Sequence, residues 1–234
     1  MSNKETGAEF DSYAEAYREH VAKALPPGVG EVDAFARVKV WHLVRAIDSV
    51  FPGRRDVRLL DAGCGIGLTD RYLKSVYPNI TGFDVSPKSV ELAAKANPEL
   101  SYRCDPSGQL PFEDAGFDVV FAICVVHHVP PAEWLTFFQQ LHRVMKPEGL
   151  LAIYEHNPWN PATQWVVSRC EFDRDAALLN SSRCSALAAE AGFSAPRARN
   201  LLFLPLESET WCSWERRLFS RLPIGAQYEF TARK

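Results

Sequence analysis

Three aspartates and a run of glycines occupy the positions where this chain is equipped for chemistry. Leu59 and Leu60 lead into Asp61-Ala62-Gly63-Cys64-Gly65-Ile66-Gly67, an apolar run that ends in an acid and breaks into alternating glycines before a helical pattern begins. Glycine accepts positive φ and lets a ligand approach the backbone closely, and the helix that follows offers unpaired N–H groups. The turn therefore predicts a nucleotide-like ligand. A dinucleotide fingerprint needs a third glycine where Leu68 stands, and an acid beside the turn disfavours a pyrophosphate. Asp61 suits a ligand that carries an ammonium group and no phosphates. A second acid, Asp84, closes the next apolar run about 20 residues later, the spacing at which a carboxylate reaches ribose hydroxyls. Asp105 follows Cys104 at the end of the third run, so three successive strand ends each carry an aspartate.

Two further clusters fall at the same edge. His127 and His128 follow the fourth apolar run, and histidine titrates near neutral pH, in the range of a general base for a hydroxyl acceptor. The plainer role for either is packing or a helix start. Glu155, His156, Asn157 and Trp159 gather after the fifth run as candidates for acceptor binding or base chemistry, with turn formation by Asn-Pro as the alternative.

Positioning these groups requires strands and helices in alternation. Short apolar runs near 57–62, 79–84, 100–104, 117–122 and 148–155 read as strands, and 67–76, 87–96, 131–145 and 182–191 read as helices, a pattern that predicts a largely parallel sheet. Gly192-Phe193 reads as a helix stop. Two helices precede the sheet, split by Pro26-Pro27-Gly28, and two last strands are expected near 197–203 and 227–233. Between them 207–222 reads as an inserted helix whose Trp211, Trp214 and Leu218 share a face, packed in a core or lidding a pocket. The expected organisation of the 234 residues is a single domain: a helical cap over 1–50, a ligand-binding core over 51–155, and acceptor-side inserts with the terminal strands over 156–234.

Composition narrows the function classes. A 47% hydrophobic and 24% charged chain is that of an ordinary globular protein, and a net charge of -3 disfavours a nucleic-acid partner. Six scattered cysteines without a C-x-x-C pair suggest neither a disulfide framework nor a zinc knuckle, and no metal centre is expected. No stretch approaches a membrane span and the N-terminus lacks a signal-like segment, so a cytoplasmic protein is expected; oligomeric state leaves no readable signal.

The segments LLDAGCGIG, GFDVSPKSVELA, CDPSGQLPF, FDVVFAICVVHHV and VMKPEGLLAI, in that order, resemble the class I S-adenosylmethionine-dependent methyltransferases from about Val57 to Glu155. The resemblance implies an α/β, Rossmann-like, doubly wound seven-stranded sheet, mostly parallel with an antiparallel last strand, plus N-terminal helices and a helical insert before the last strand. It also implies S-adenosyl-L-methionine as cofactor, with S-adenosyl-L-homocysteine as product. Asp61, Gly63, Cys64, Gly65 and Gly67 would wrap the methionine moiety, Asp84 would hold the ribose, Val85 would pack on adenine, and Asp105 would accept from the adenine amino group. Ile123 and the residues after it would line the sulfonium side. Pro106 departs from the family, since proline has no N–H to donate near adenine. Tyr13 and Tyr17, in a segment that closes over the cofactor in related enzymes, join Glu155, Asn157, Trp159 and Trp211 as candidate acceptor contacts. The expected activity is O- or N-methylation of a small-molecule acceptor, with His127, His128 or His156 as the base; the rival is a non-catalytic protein that binds the cofactor or its product.

Overall fold

The computed structural model describes residues 11–25 except 15, and 31–234 except 174 and 205; the side chains of Tyr17 and Phe172 also lie outside the description. Seven strands form one sheet: β1 (Leu59–Ala62), β2 (Ile80–Asp84), β3 (Ser101–Cys104), β4 (Phe117–Ile123), β5 (Met145–His156), β6 (Ser194–Leu201) and β7 (Gln227–Arg233). Their order is β3-β2-β1-β4-β5-β7-β6, parallel from β3 to β5, with β7 antiparallel to both of its neighbours. Strand order reverses between β1 and β4, which is where sheets of this kind bind ligands, beyond the strand C-termini.

Side chains that alternate along each central strand feed two cores. Leu60, Ala62, Val120, Ala122, Leu151 and Ile153 face α5 (Trp134–Val144) and α7 (Ser181–Glu190) through Phe138, Leu141 and Leu187. Leu59, Val119, Phe121, Leu150, Ala152 and Tyr154 face α2 (Val32–Val50) through Val38, Leu43 and Ile47. β1 and nearly all of β4 are buried, which is why both read as continuous apolar runs rather than as alternating ones.

Helix starts follow local chemistry. Ser86 accepts from Ser89 N at the start of α4 (Pro87–Ala96), where Pro87 occupies a first-turn position that needs no N–H. Asn160 and Asn180 cap α6 (Pro161–Arg169) and α7 in the same way. Gly192, at φ +100°, ends α7, and Phe193 N bonds back to Ala188 O at 2.9 Å. The two remaining helices on the ligand side are α1 (Tyr17–Ala24) and α3 (Leu68–Leu73).

The insert before β7 differs from expectation. α8 (Glu209–Trp214) runs into a π turn over Glu215–Phe219 instead of one regular helix over 207–222. Glu215, 1% exposed, accepts from Leu202 N and Phe203 N at 3.1 and 2.9 Å, so the buried face is that of Cys212 and Glu215. Trp214 and Leu218 point outward at 57% and 66% exposure, while Trp211 is half-buried against Phe219, and none of the three lines the cavity. β6 begins and ends earlier than 197–203, and α5 is preceded by a short 3-10 turn, Pro131–Glu133. No helix among the described residues is long and apolar enough to cross a membrane.

Candidate active site

The turn after β1 is held by its own backbone. Gly63 N and Cys64 N both donate to Phe83 O of β2, at 2.7 and 2.9 Å. Gly63 has φ +98°, and a Cβ there would lie 2.4 Å from Val125 Cγ2. Gly65 has φ +51° with open space around it, so a ligand can approach its backbone. Gly67, at φ +71°, precedes α3, and a Cβ there would meet Asn97 Nδ2 at 2.7 Å and the Tyr102 hydroxyl at 2.9 Å. It therefore serves the close helix packing that the dinucleotide fingerprint assigns one residue later.

Asp61 and Asp84 stand on either side of that turn. Asp61 is 2% exposed, lines a cavity of about 820 Å³, and has an oxygen, Oδ1, with no hydrogen-bond partner. Burial first, and then the neighbouring Asp70, push its carboxyl well above the usual range. Asp70 is itself pushed up to about 6, mainly by burial, although the Tyr102 hydroxyl donates to it at 2.9 Å. Asp84 Oδ2 accepts from Gly65 N at 2.8 Å and Oδ1 from Ser86 N at 3.0 Å; burial raises its carboxyl while these amides oppose the rise. An orphaned, buried carboxylate beside open backbone fits a cation that arrives with its own donors, such as an ammonium-bearing nucleoside.

The ends of β4 and β5 build a second polar group. Cys124, at φ +58°, turns the chain off β4, and Glu155, wholly buried at the end of β5, receives the turn: its Oε1 accepts from Val125 N and Val126 N at 2.9 and 2.6 Å. Its Oε2 lies 2.5 Å from His127 Nδ1. On the far side of that imidazole, Nε2 faces Asp173 Oδ1 at 3.4 Å, and His128 Nε2 faces the same oxygen at 3.3 Å. Burial opposes charge on His127, but Glu155 and Asp173 together hold it well above its usual pKa. Burial, with the charge of His127 added, lowers His128 to about 3 and His156 to about 4. Both therefore stay neutral and keep an acceptor nitrogen. Asp173 falls to about 2 against its burial, because the adjacent, protonated His127 stabilises its charge.

The cavity brings together Tyr13, Asp61, Gly63, Cys64, Gly65 and Asp84, and with them Val85, Ile123, His127, His128 and His156. Other expected residues sit elsewhere. Gly67 lies behind the turn. Asp105 bonds the amide of Ser107 at 2.8 Å, and neither it nor the exposed Pro106 reaches the cavity lining, which Ser107, Gly108 and Gln109 supply instead. Glu155 acts from beneath the lining, through His127 and two amides. Asn157 is a structural tie: its Nδ2 donates to Pro223 O and Gly225 O, and its N to Ala226 O, anchoring the chain that enters β7. Trp159 is 71% exposed and outside the cavity, and Trp211 stacks on Phe219, ring centroids 6.0 Å apart. The Tyr17 side chain lies outside the described residues.

Three contributors carried no local sequence signal. Asp173 comes from the turn after α6, and Lys39 from α2 brings Nζ to 3.7 Å from Cys124 Sγ. Asp11 accepts from Ser86 Oγ and Lys88 N at 2.6 and 2.9 Å, tying the N-terminal segment to the start of α4.

Comparison with known proteins agrees with this geometry. The methyltransferase-domain family matches residues 60–153. An uncharacterized methyltransferase of Synechocystis sp. is 29% identical over 182 residues, covering 76% of this chain and 82% of that protein. The 2-methyl-6-phytyl-1,4-hydroquinone methyltransferase of the same organism is 35% identical over 115 residues, but these span 47% of this chain and only 35% of that protein. A SAM-dependent methyltransferase from Thermotoga maritima shares the fold at a TM-score of 0.68 and 15% identity, over 98% of this chain and 99% of that one. With its sheet order, its glycine turn and the acid beside it, the chain carries a methyltransferase domain of the class I S-adenosylmethionine-dependent kind, and S-adenosylmethionine is its cofactor.

Proposed function

We propose that this protein methylates a hydroxyl oxygen on an apolar-bodied small molecule. The observation that carries this reading is how the cavity is divided along the sheet edge. Adjacent strands are spaced about 4.8 Å apart, so β2, β1, β4 and β5 lay Asp84, Asp61, Ile123 and His156 out in a row. Acids occupy the β2–β1 end, the β4–β5 end carries the neutral His128 and His156 beside the ion pair of His127 with Asp173, and apolar side chains such as Val21, Phe35, Val166 and Phe203 line the walls between helices.

Each residue then has a task. Asp61 Oδ1 takes the ammonium of the methionine moiety, and Asp84 takes the ribose hydroxyls in exchange for its bond to Gly65 N. Val85 and Ile123 flank the adenine and sulfonium sides. The bound cofactor supplies an electrophilic methyl on sulfur, so most of the rate gain comes from holding the acceptor oxygen in line with it. His156 accepts the hydroxyl's hydrogen bond and so orients the oxygen; as the O–CH3 bond forms the S–CH3 bond breaks, leaving S-adenosylhomocysteine, and the oxygen's proton, strongly acidic once that oxygen is methylated, passes to the His156 imidazole. The segment from Asp11 through Tyr13 covers the β2 side and excludes water. The named substrate of the hydroquinone methyltransferase, a hydroxylated ring with a long apolar chain, has the character this cavity suits.

Transfer of labelled methyl to paired acceptors that differ only in bearing a hydroxyl or an amine, on an aromatic body with an alkyl tail, tests the proposal. Turnover with the hydroxyl member supports it. Turnover with amines alone, or S-adenosylhomocysteine binding without transfer to any member, rejects it.

A further inference from the structure

The geometry points to a divalent-cation site of the Zn2+ class formed by His127, His128 and Asp173 in the cavity wall at the β4–β5 end. One ligand atom from each residue lies within 4.8 Å of the other two. Asp173 Oδ1 is 3.4 Å from His127 Nε2 and 3.3 Å from His128 Nε2. Ligands about 2.1 Å from a tetrahedral zinc are separated by about 3.4 Å, so both measured separations are already those of the occupied polyhedron.

Two of these atoms meet as an ion pair at a distance long for a hydrogen bond. His127 Nε2 and Asp173 Oδ1 make no directed hydrogen bond, though their side chains are 1% and 6% exposed, and a buried polar atom of that kind calls for a partner. Glu155 completes the arrangement expected around a metal-binding histidine. It sits 2.5 Å from Nδ1 and is itself fixed by two backbone amides, so the ring cannot turn and Nε2 stays aimed at Asp173. Two carboxylates around one imidazole make a cation-stabilising centre.

Three protein ligands leave a fourth position. His127, His128 and Asp173 all line the cavity, so that position opens toward the acceptor, with the His156 ring 5.0 Å from that of His127. Two imidazole nitrogens and one carboxylate oxygen favour Zn2+ over Mg2+ or Ca2+, which take more ligands, all oxygen. Only the occupant of the fourth position, an acceptor oxygen, rests on the methyl-transfer reading above.

Titration of the metal-stripped full chain with Co2+ alone, followed by visible ligand-field absorption, tests the site. The expected result is one equivalent bound with the intensity of a tetrahedral ion, displaced by Zn2+. Asp173→Asn and His128→Gln should each abolish it, and Glu155→Gln should weaken it roughly 10- to 100-fold. His142→Gln, outside the cavity and packed on Phe193, should leave it intact. Thermal stabilisation by S-adenosylhomocysteine reports that each variant is folded. If the ligand variants do not fold, X-ray absorption on the Zn2+-loaded wild-type protein decides: two imidazole nitrogens with a carboxylate oxygen support the site, and sulfur ligation overturns it. No stoichiometric binding, or binding unchanged in both ligand variants, also overturns it. Methyl transfer measured with and without chelator keeps the two readings apart, because a bound metal with no hydroxyl turnover sinks the function while leaving the site.

Discussion

Replacing Asp61 by Asn removes one charge from the cofactor end of the cavity and changes little else, since the amide keeps the shape of the carboxylate. Asp61 Oδ1 is buried and unpartnered, and the carboxyl is held well above its usual pKa by burial and by Asp70. A hydrogen bond to a charged group is worth about 1.5–3 kcal/mol, so the variant should bind S-adenosylhomocysteine roughly 10- to 150-fold more weakly once wild-type Asp61 is ionised. The pH dependence separates this from a general packing defect. In the free protein the raised pKa keeps Asp61 protonated further up the pH scale, and a bound ammonium lowers that pKa again. Binding therefore releases a proton between the two values, and wild-type affinity rises with pH, by up to tenfold per unit, until the free-protein pKa is passed. The Asp61→Asn variant has no such proton to release. Isothermal titration over a pH series, in buffers of different ionisation enthalpy, should show proton release and a rising affinity for wild type only, and the two proteins should converge at low pH. Equal affinities at high pH, or the same pH slope in the variant, would refute the assignment of Asp61 to the ammonium.

Three further outcomes follow from the same region. Gly67→Ala places a Cβ at positive φ against Asn97 and Tyr102, and the combined strain and overpacking should lower stability by about 2–5 kcal/mol in urea unfolding; a loss under about 1 kcal/mol would contradict the packing. Asp70 has its folded pKa raised from 3.8 to about 6, so the fold binds the extra proton between those values, and its stability falls as pH rises through that window and then levels off. Asp70→Asn should therefore raise stability at pH 7 by about 1–3 kcal/mol but hardly at pH 4, and an equal change at both would exclude the linkage. Glu155→Ala strands His127 and two amides in the interior and should cost about 3–5 kcal/mol, whereas Glu155→Gln keeps an acceptor for the amides and should cost less; thermal unfolding of the pair checks the order.

Local interactions explain what was legible before any tertiary contact was known. The glycine turn needs positive φ at 63, 65 and 67, and only a few residue types supply that, so the turn announces itself in sequence. Strand runs and helix caps are equally local: Ser86-Pro87, Asn180 and Gly192 act within a few residues of themselves. With Asp61 and Asp84 at the ends of their strands, their place at the edge of the cavity could be read, although Asp105 turns to its own loop instead. The acceptor side could not. Glu155 and Asn157 are polar neighbours on one strand end, yet one turns beneath the cavity to hold His127 while the other is consumed in anchoring the chain before β7. Asp173 joins two histidines far from it in sequence only because α6 carries the following turn back over the β4 end. Trp159 and Trp214 have the residue type of pocket walls but face outward, since burial depends on which face the neighbouring elements leave open. Periodicity and turn chemistry are encoded over a few residues, so the sequence alone determined the sheet and its cofactor turn. Only packing between distant segments decided which histidines meet which acids.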